Sequence, residues 1–501
     1  MFLRPGSDVF FLLAFAQVVL ANLRPSAALL QHVTGYEALC EVVAPWTPER
    51  VESACGVPAS TLRALVDGYL RAHGAVLYAG TGVNQGPHGT LCMWLVHAIS
   101  LLSGNLDRQG GMLIARQLVL AAKLAPSGDR IAHRTPRMSP HRSVMDALPA
   151  GILPDEILMP GPGQLRALFV TAGNPVLSCP NSARMRSTLA GLDLLVSIDL
   201  FRNETGNLAH YVLPATSFLE RSDIPLGMTG WQAVPYAQHT APVVSPRGES
   251  RDEWWIFARL AAACGIRLGS RPFQAWLDLS TRTKSWLPRM LRFGPWLLFA
   301  LVALLDRVSL RALREAPHGL LTRPHKPGSF LKRGVLTPGR KVNLAPERFV
   351  AAASTLDALH LSLARDSEAL RLITKRERNS HNSWMHNVAS LVSGSRATNY
   401  LYMHPADASV RRLCDGELCQ VSSATGQLEV PLRLTDELMP GTVALPHGWG
   451  HQAADGLSVA SRTRGQNANL LAGDGPDALE PLSGMARLTA IEVHVQKASG
   501  C

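Results

Sequence analysis

The residues best placed to do chemistry stand at the ends of apolar runs. The stretch GTGVNQGPHG, residues 80–89, follows the run AVLY (75–78) and precedes TLCMWLVHAISLL (90–102). Glycines at a strand end let backbone N–H groups approach a pyrophosphate, and a following helix adds free N–H groups and a positive dipole end. The nicotinamide fingerprint is incomplete. Gln85 stands where a third glycine belongs, and the nearest acid, Asp107, follows a helix stop instead of closing the next strand. No Walker lysine accompanies the loop, so it suits an anionic ligand of another kind. Two more polar loops, TAGNP (171–175) and SIDLFRNET (197–205), also follow apolar runs. In a parallel sheet, functional side chains collect beyond the carboxyl ends of strands, and Asp199 is placed there to accept two hydrogen bonds from a ligand edge. An acid at that position also serves as a helix cap.

These loops need a framework, and the pattern supplies an α/β one. Residues 1–72 read as helical: Pro5 and Gly6 turn the chain, Ser7 or Asp8 caps, and VFFLLAFAQVVLANL forms a buried helix, with a second capped start at Thr47 and Pro48. Residues 73–270 alternate short β-rich runs (AVLYAG, ALFVTAGNP, LDLLVSIDLF, HYVLPA) with helices, which predicts a parallel sheet with helical crossovers. Residues 271–367 combine a helical pair with a Pro- and Gly-rich basic connection on the surface. From residue 368 to 501, dense short strands with turn signals predict a β-barrel or sandwich.

Composition narrows the ligand. The 501 residues are 47% hydrophobic and 17% charged, a globular balance long enough for several cores, and 49 Lys plus Arg against 38 Asp plus Glu give a net charge of +11. The arginines are scattered through apolar segments and form no nucleic-acid module, which favours a buried anionic cofactor over nucleic acid. Eight cysteines without a Cys-x-x-Cys pair read as reduced thiols, neither a disulfide framework nor a zinc site, and predict a cytoplasmic protein. The amino-terminal apolar run imitates a secretion signal, yet Asp8 interrupts its approach and no clean cleavage site follows. WLLFALVALL (296–305) is about half of a bilayer span, so no transmembrane helix is expected. His381, His386, His404, His447 and His451 lack tight ligand spacing and read as loop or core histidines.

The set GTGVNQGPHGTLCMWLVHAISLLSGNLDRQGG, TAGNPV, SIDLFRNETGNLAHYVLPATSFLE, SHNSWMHN and PHGWG resembles the molybdopterin oxidoreductases of the dimethyl sulfoxide reductase superfamily, on the formate dehydrogenase and nitrate reductase side. The likeness runs from about Arg4 to Val495 in the family's order. It implies molybdenum or tungsten held by two molybdopterin guanine dinucleotides and a double-psi-like C-terminal barrel. Thr81 and Gln85 would meet one dinucleotide, with Gly82 allowing close approach. Asn174 and Asp199 would recognise its nucleotide end, and Arg221 and Asp252 would complete that pocket. Gly6, Ser7 and Asp8 resemble the segment that meets the second dinucleotide. In TKRERNSHNS the resemblance implicates Thr374, Arg376, His381, Asn382 and Ser383. Asn469 and Arg487 resemble pterin or phosphate contacts, Arg487 keeping the charge where the family often has lysine.

Members on this side usually begin with four cysteines holding a 4Fe–4S cluster and an upstream domain that supplies the metal's protein ligand. This sequence is expected to start after both, as the C-terminal two-thirds of such an enzyme, with the upstream portion encoded separately or just ahead of it. Alternatively, it is a remnant that binds a dinucleotide without turnover. Substrate and electron-transfer partner are not legible.

Overall fold

The computed structural model describes residues 1–115, 134–144, 146–223, 232–282, 286, 294, 296–297, 300, 308–364 and 369–498. Most of the apolar run 296–305, and the expected boundary at 367–368, lie outside the described residues. Among those described, no helix is long and apolar enough to cross a membrane.

Helix α1 (Asp8–Asn22) has no polar face because it needs none. Nine of its fifteen residues are buried, in the larger hydrophobic core, against α2 (Pro48–Cys55) and α3 (Ala59–Arg71). Thr47 caps α2 by accepting the Arg50 N–H at 3.3 Å, with Pro48 in the first turn. At α1, Ser7 does not cap: its Oγ donates to the Arg4 carbonyl at 2.6 Å, and the Asp8 carboxylate takes backbone N–H groups of Gly6 and Asp8.

The segment expected to form the first strand does not. Residues 75–80 run outside any strand, the Ala75 N–H donating instead to Asn105 Oδ1 at 3.2 Å, with Val76 54% and Tyr78 89% exposed, because no described strand lies beside them. The glycine loop then makes one short turn, α4 (Thr81–Asn84), before α5 (Gly89–Leu102). The glycine this turn requires is Gly89, where a Cβ would stand 2.4 Å from the Asn84 carbonyl oxygen.

The parallel sheet is formed by β1 (Ala167–Thr171), β2 (Leu194–Asp199) and β3 (Tyr211–Pro214), in that spatial order. Thr171 pairs with Ile198 and Asp199 with Pro214, so the loops after all three strands open on one edge. Helix α6 (Ser182–Ala190) crosses from β1 to β2 and is capped by Asn181, while α7 (Glu204–Leu208) follows β2 and is capped by Asn203. Helix α8 (Glu253–Ala263) comes after β3.

Strands β4 (Leu370–Lys375), β5 (Leu401–Met403), β6 (Leu418–Ser422), β7 (Gln427–Leu434), β8 (Thr442–Pro446) and β9 (Ile491–Lys497) close into a barrel in the order β6, β7, β5, β8, β4, β9. The β4–β8 and β7–β5 pairs are parallel. Alternating Leu428, Val430 and Leu432 point β7 into the barrel core. The barrel is tied to the α/β part by polar contacts. Asn181 N donates to the Ala472 carbonyl at 2.8 Å, and Arg184 bridges Asp155 and Asp474 at 2.7 Å each.

Candidate cofactor site

Three distant segments converge through one residue. The Leu488 N–H donates to the Gln85 carbonyl at 3.1 Å, and the Leu488 carbonyl accepts from Thr374 Oγ1 at 3.2 Å, which joins the glycine loop to the end of β4. Gly6 adjoins them: its φ is +87°, and a Cβ there would lie 3.0 Å from Ala490 Cβ and 3.7 Å from Pro87. Gly6, Gln85 and Thr374, separate in the sequence, thus meet around residues 487–490.

Two charged groups in this convergence, buried Glu480 and half-buried Arg487, are only partly satisfied. Glu480 is 1% exposed, and its Oε2 accepts from Thr90 Oγ1, Leu482 N, Ser483 N and Ser483 Oγ at 2.6–3.1 Å. Its Oε1 is buried without a partner, as is Nε of Arg487. Burial pushes the Arg487 guanidinium down, with Glu480 opposing, and His88 is pushed down by the same burial and the same opposition. Buried polar groups are normally matched, and leaving one unmatched costs about 1–3 kcal/mol. One unmatched donor and one unmatched acceptor suit a ligand that carries both anionic oxygens and N–H groups. A pterin or guanine nucleotide has both. Burial also raises the Asp8 carboxyl, against its backbone hydrogen bonds.

At the sheet edge the predicted residues are largely engaged with protein. Asn174 accepts from Thr205 N and Oγ1 at 3.3 and 2.8 Å and donates to Glu204 Oε2 at 2.6 Å. Asp199 Oδ1 accepts the Leu200 N–H at 2.6 Å and Oδ2 accepts from Asn203 at 3.1 Å; burial raises its carboxyl against these bonds. A carboxylate offers about four acceptor sites, so these bonds do not exhaust it. Arg221 is ion-paired with Glu253, and Asp252 accepts from Thr216 Oγ1 and Trp254 Nε1. Asn469 donates to the Leu177 carbonyl at 2.9 Å, which fixes the barrel to the α/β part.

Thr81 and Gly82 are exposed, with open space around Gly82. Arg376, His381 and Asn382 are exposed and Ser383 is half-buried; His381 and Asn382 both adopt left-handed backbone, at φ +41° and +65°. The turn is held from behind by Gly448, where a Cβ would stand 2.0 Å from the Asn382 carbonyl oxygen. Beside it is a cavity of about 320 Å³ whose lining includes Arg376, Arg378, His386, Tyr400, Arg433 and Trp449. Its cations exceed its single carboxylate, Glu377, and Trp449 Nε1 donates to that group at 3.1 Å.

Sequence reasoning passed over a buried trio. His386 and His451, read as ordinary histidines, are 1% and 2% exposed; His386 Nδ1 lies 3.1 Å from His451 Nε2, and His451 Nδ1 lies 3.0 Å from Glu204 Oε1. His386 stacks on Trp449 with ring centroids 4.0 Å apart. The separation of 247 residues between Glu204 and His451 leaves no local signal that could have found the pairing.

The trio predicts acid lability with a definite sign. Burial raises the Glu204 carboxyl, but the hydrogen bond and charge of His451, with Asn174, outweigh it and hold the group below its ordinary range. That stability is present above the unfolded carboxylate value and is lost as pH falls through the lower folded one. Burial pushes His386 down to about 4, so between 6.5 and 4 the unfolded chain binds the proton more readily. Unfolding free energy is therefore expected to fall by up to about 1.4 kcal/mol per pH unit on acidification through that window from His386 alone. Urea unfolding at pH 7, 6 and 5 checks this, and a flat profile contradicts it.

Comparison with known proteins gives the family. Residues 3–263 match the family described as Molybdopterin oxidoreductase, and residues 370–491 match the Molydopterin dinucleotide binding domain. The chain is 24% identical to the thiosulfate reductase molybdopterin-containing subunit of Salmonella typhimurium, over 97% of this chain and 66% of that protein. It is 25% identical to the menaquinone reductase, molybdopterin-binding-like subunit of Nitratidesulfovibrio vulgaris, over 99% of this chain and 62% of that one. The fold matches acetylene hydratase from Pelobacter acetylenicus with a TM-score of 0.72 at 19% identity, covering 99% of this chain and 71% of that one. The chain thus spans about two-thirds of the length of these curated relatives. With more than half of its residues inside the first match, and a dinucleotide-binding barrel closing against the same glycine loop, the chain belongs to the molybdopterin oxidoreductase family.

Proposed function

We propose that this chain is the C-terminal portion of a molybdenum oxidoreductase, formate dehydrogenase- or nitrate reductase-like, that holds a bis-molybdopterin guanine dinucleotide cofactor between its α/β part and its barrel. The observation that carries this reading is the convergence of Gly6, Gln85 and Thr374 on residues 487–490, with the buried atoms Arg487 Nε and Glu480 Oε1 each short of a partner. Arg487 would neutralise an anionic oxygen, Glu480 Oε1 would accept an N–H, and Gln85 and Thr81 would line one dinucleotide with Gly82 giving room. Gly6, Ser7 and Asp8 would meet the second. Asp199, with Asn174, Arg221 and Asp252 behind it, would receive the guanine edge. Arg376, His381, Asn382 and Ser383 would cover the cofactor from the barrel, with Asn469 holding the seam. When bound, the group supplies two-electron redox chemistry at molybdenum or tungsten.

No group of three His, Cys, Asp or Glu among the described residues is placed to hold a metal ion. In this reading, the metal's protein ligand and a 4Fe–4S cluster belong to an upstream portion, and the enzyme is cytoplasmic. Purified alone, the 501-residue chain is expected to show no turnover of formate, nitrate or thiosulfate with artificial electron carriers; steady turnover by the isolated chain contradicts it. A second reading, a dinucleotide-binding subunit without turnover, is favoured by the relative named as molybdopterin-binding-like. Restoration of activity by a co-expressed upstream portion separates the two.

Asp199→Asn removes a charged acceptor from the guanine edge and is expected to weaken cofactor binding by about 2–4 kcal/mol. Unchanged guanine dinucleotide content in this variant rules out the assignment.

A further inference from the structure

The trio Glu204, His451 and His386 spans the seam between α7, after strand β2, and the barrel, and the cofactor reading does not use it. Its hydrogen-bond geometry allows two arrangements that differ by one proton. Glu204 is a carboxylate, so its His451 partner carries a proton on Nδ1. With His451 neutral, its Nε2 is an acceptor, His386 donates from Nδ1, and His386 Nε2 is a bare lone pair. With His451 doubly protonated, its Nε2 donates to His386 Nδ1, and His386 carries its proton on Nε2. In both arrangements Nε2 is buried and has no partner in the described structure.

We propose that Glu204, His451 and His386 form a proton relay that takes up one proton at His386 Nε2, holds it as an imidazolium on His451 against the Glu204 carboxylate, and so converts Nε2 from a hydrogen-bond acceptor into a donor. The atoms balance. A proton binds His386 Nε2 as the Nδ1 proton passes across 3.1 Å to His451 Nε2, and His386 is neutral before and after. The net charge of the trio goes from −1 to zero. That change is favoured in a buried setting, where an uncompensated carboxylate is costly.

The surroundings agree with this direction. On the α/β side, Glu204 accepts from Asn174, whose own oxygen accepts from Thr205 Oγ1, and both residues are neutral. On the barrel side, the Gly448 carbonyl favours a proton on His386, whereas His447, with Arg376 beyond it, disfavours a charge on that ring. Glu377 is engaged by Trp449, on which His386 stacks. The extra charge therefore rests on His451, next to the carboxylate, and His386 acts as the neutral outlet. His386 also lines the cationic cavity, a region able to hold an anionic ligand. His451 and Glu204 are positioning residues in this scheme, acting through His386.

The test is a titration of the ¹⁵N-histidine-labelled full chain followed by long-range ¹H–¹⁵N correlation, with H386Q and H451Q used to assign the signals. The expected result between pH 5 and 9 is a single shared midpoint. At it, His451 passes from neutral ring to imidazolium while His386 exchanges its Nδ1–H tautomer for Nε2–H. E204Q, which removes the charge but keeps an amide oxygen, is expected to lower the midpoint by about one pH unit or more, and E204D to bring it back. Separate midpoints for the two rings, no change in either, a doubly protonated His386, or an unmoved midpoint in E204Q would each overturn the relay. Should E204Q fail to fold, the wild-type titration decides the question by itself.

Discussion

Glu204→Ala is expected to destabilise the chain by about 3–5 kcal/mol, read as a shift of the urea midpoint at pH 7 with unchanged slope. The size follows from what the carboxylate does. It accepts from His451 Nδ1 at 3.0 Å and from Asn174 Nδ2 at 2.6 Å, and the Glu204 and His451 side chains are each 2% exposed. Truncation leaves the buried His451 Nδ1 donor and the half-buried Asn174 amide without an acceptor, at the only buried carboxylate–histidine hydrogen bond joining the barrel to the sheet edge among the described residues. The solvent-exposed pair Arg202–Asp455, which crosses the same seam, supplies the contrast: breaking it is expected to cost no more than about 1 kcal/mol. Equal effects at the two sites would show that the seam is not organised around the buried pair.

The unequal legibility of the sequence has the same physical origin. Helix α1 was readable because an uninterrupted apolar run bounded by a turn has few other solutions, and β2 because a short apolar strand ending in Asp199 is a local pattern. The barrel strands were readable as alternating or, in β8, continuously apolar short runs, except β5, whose three residues are too few to show a period. The run at 75–78 had the composition of a strand, but pairing is a property of two segments, and no described strand lies beside it. The site followed the same rule. Gln85, Thr374 and Arg487 were singled out by motif, yet their meeting at Leu488 depends on barrel closure and could not be read locally. The two buried histidines were passed over because their partners are distant in sequence, and Glu480 because its contacts with Leu482 and Ser483 are those of an ordinary local turn, with only Thr90 reaching it from far away.

Arg487→Met is expected to have opposite effects on the ligand-free and ligand-bound protein. In the ligand-free chain the change removes a buried donor with no acceptor and is expected to raise unfolding free energy by about 1–3 kcal/mol. Toward the dinucleotide it removes a charge-assisted hydrogen bond and is expected to weaken binding by about 1.5–3 kcal/mol, roughly 10- to 100-fold. A merely structural arginine gives the reverse, a loss of stability with binding unaffected. Thermal unfolding of ligand-free protein and pterin content of protein from the same preparation read the two effects independently.

The most direct measurement of the central claim is the guanine nucleotide released by acid hydrolysis from chain purified out of a molybdenum-sufficient host, quantified with the fluorescent pterin beside it. The account predicts that the wild-type chain carries both in equal amounts, below two per chain when isolated. It also predicts that Arg487→Met and Asp199→Asn lose most of them while remaining folded. A wild-type chain with no bound pterin or guanine nucleotide, or variants that retain the wild-type amount, would contradict it.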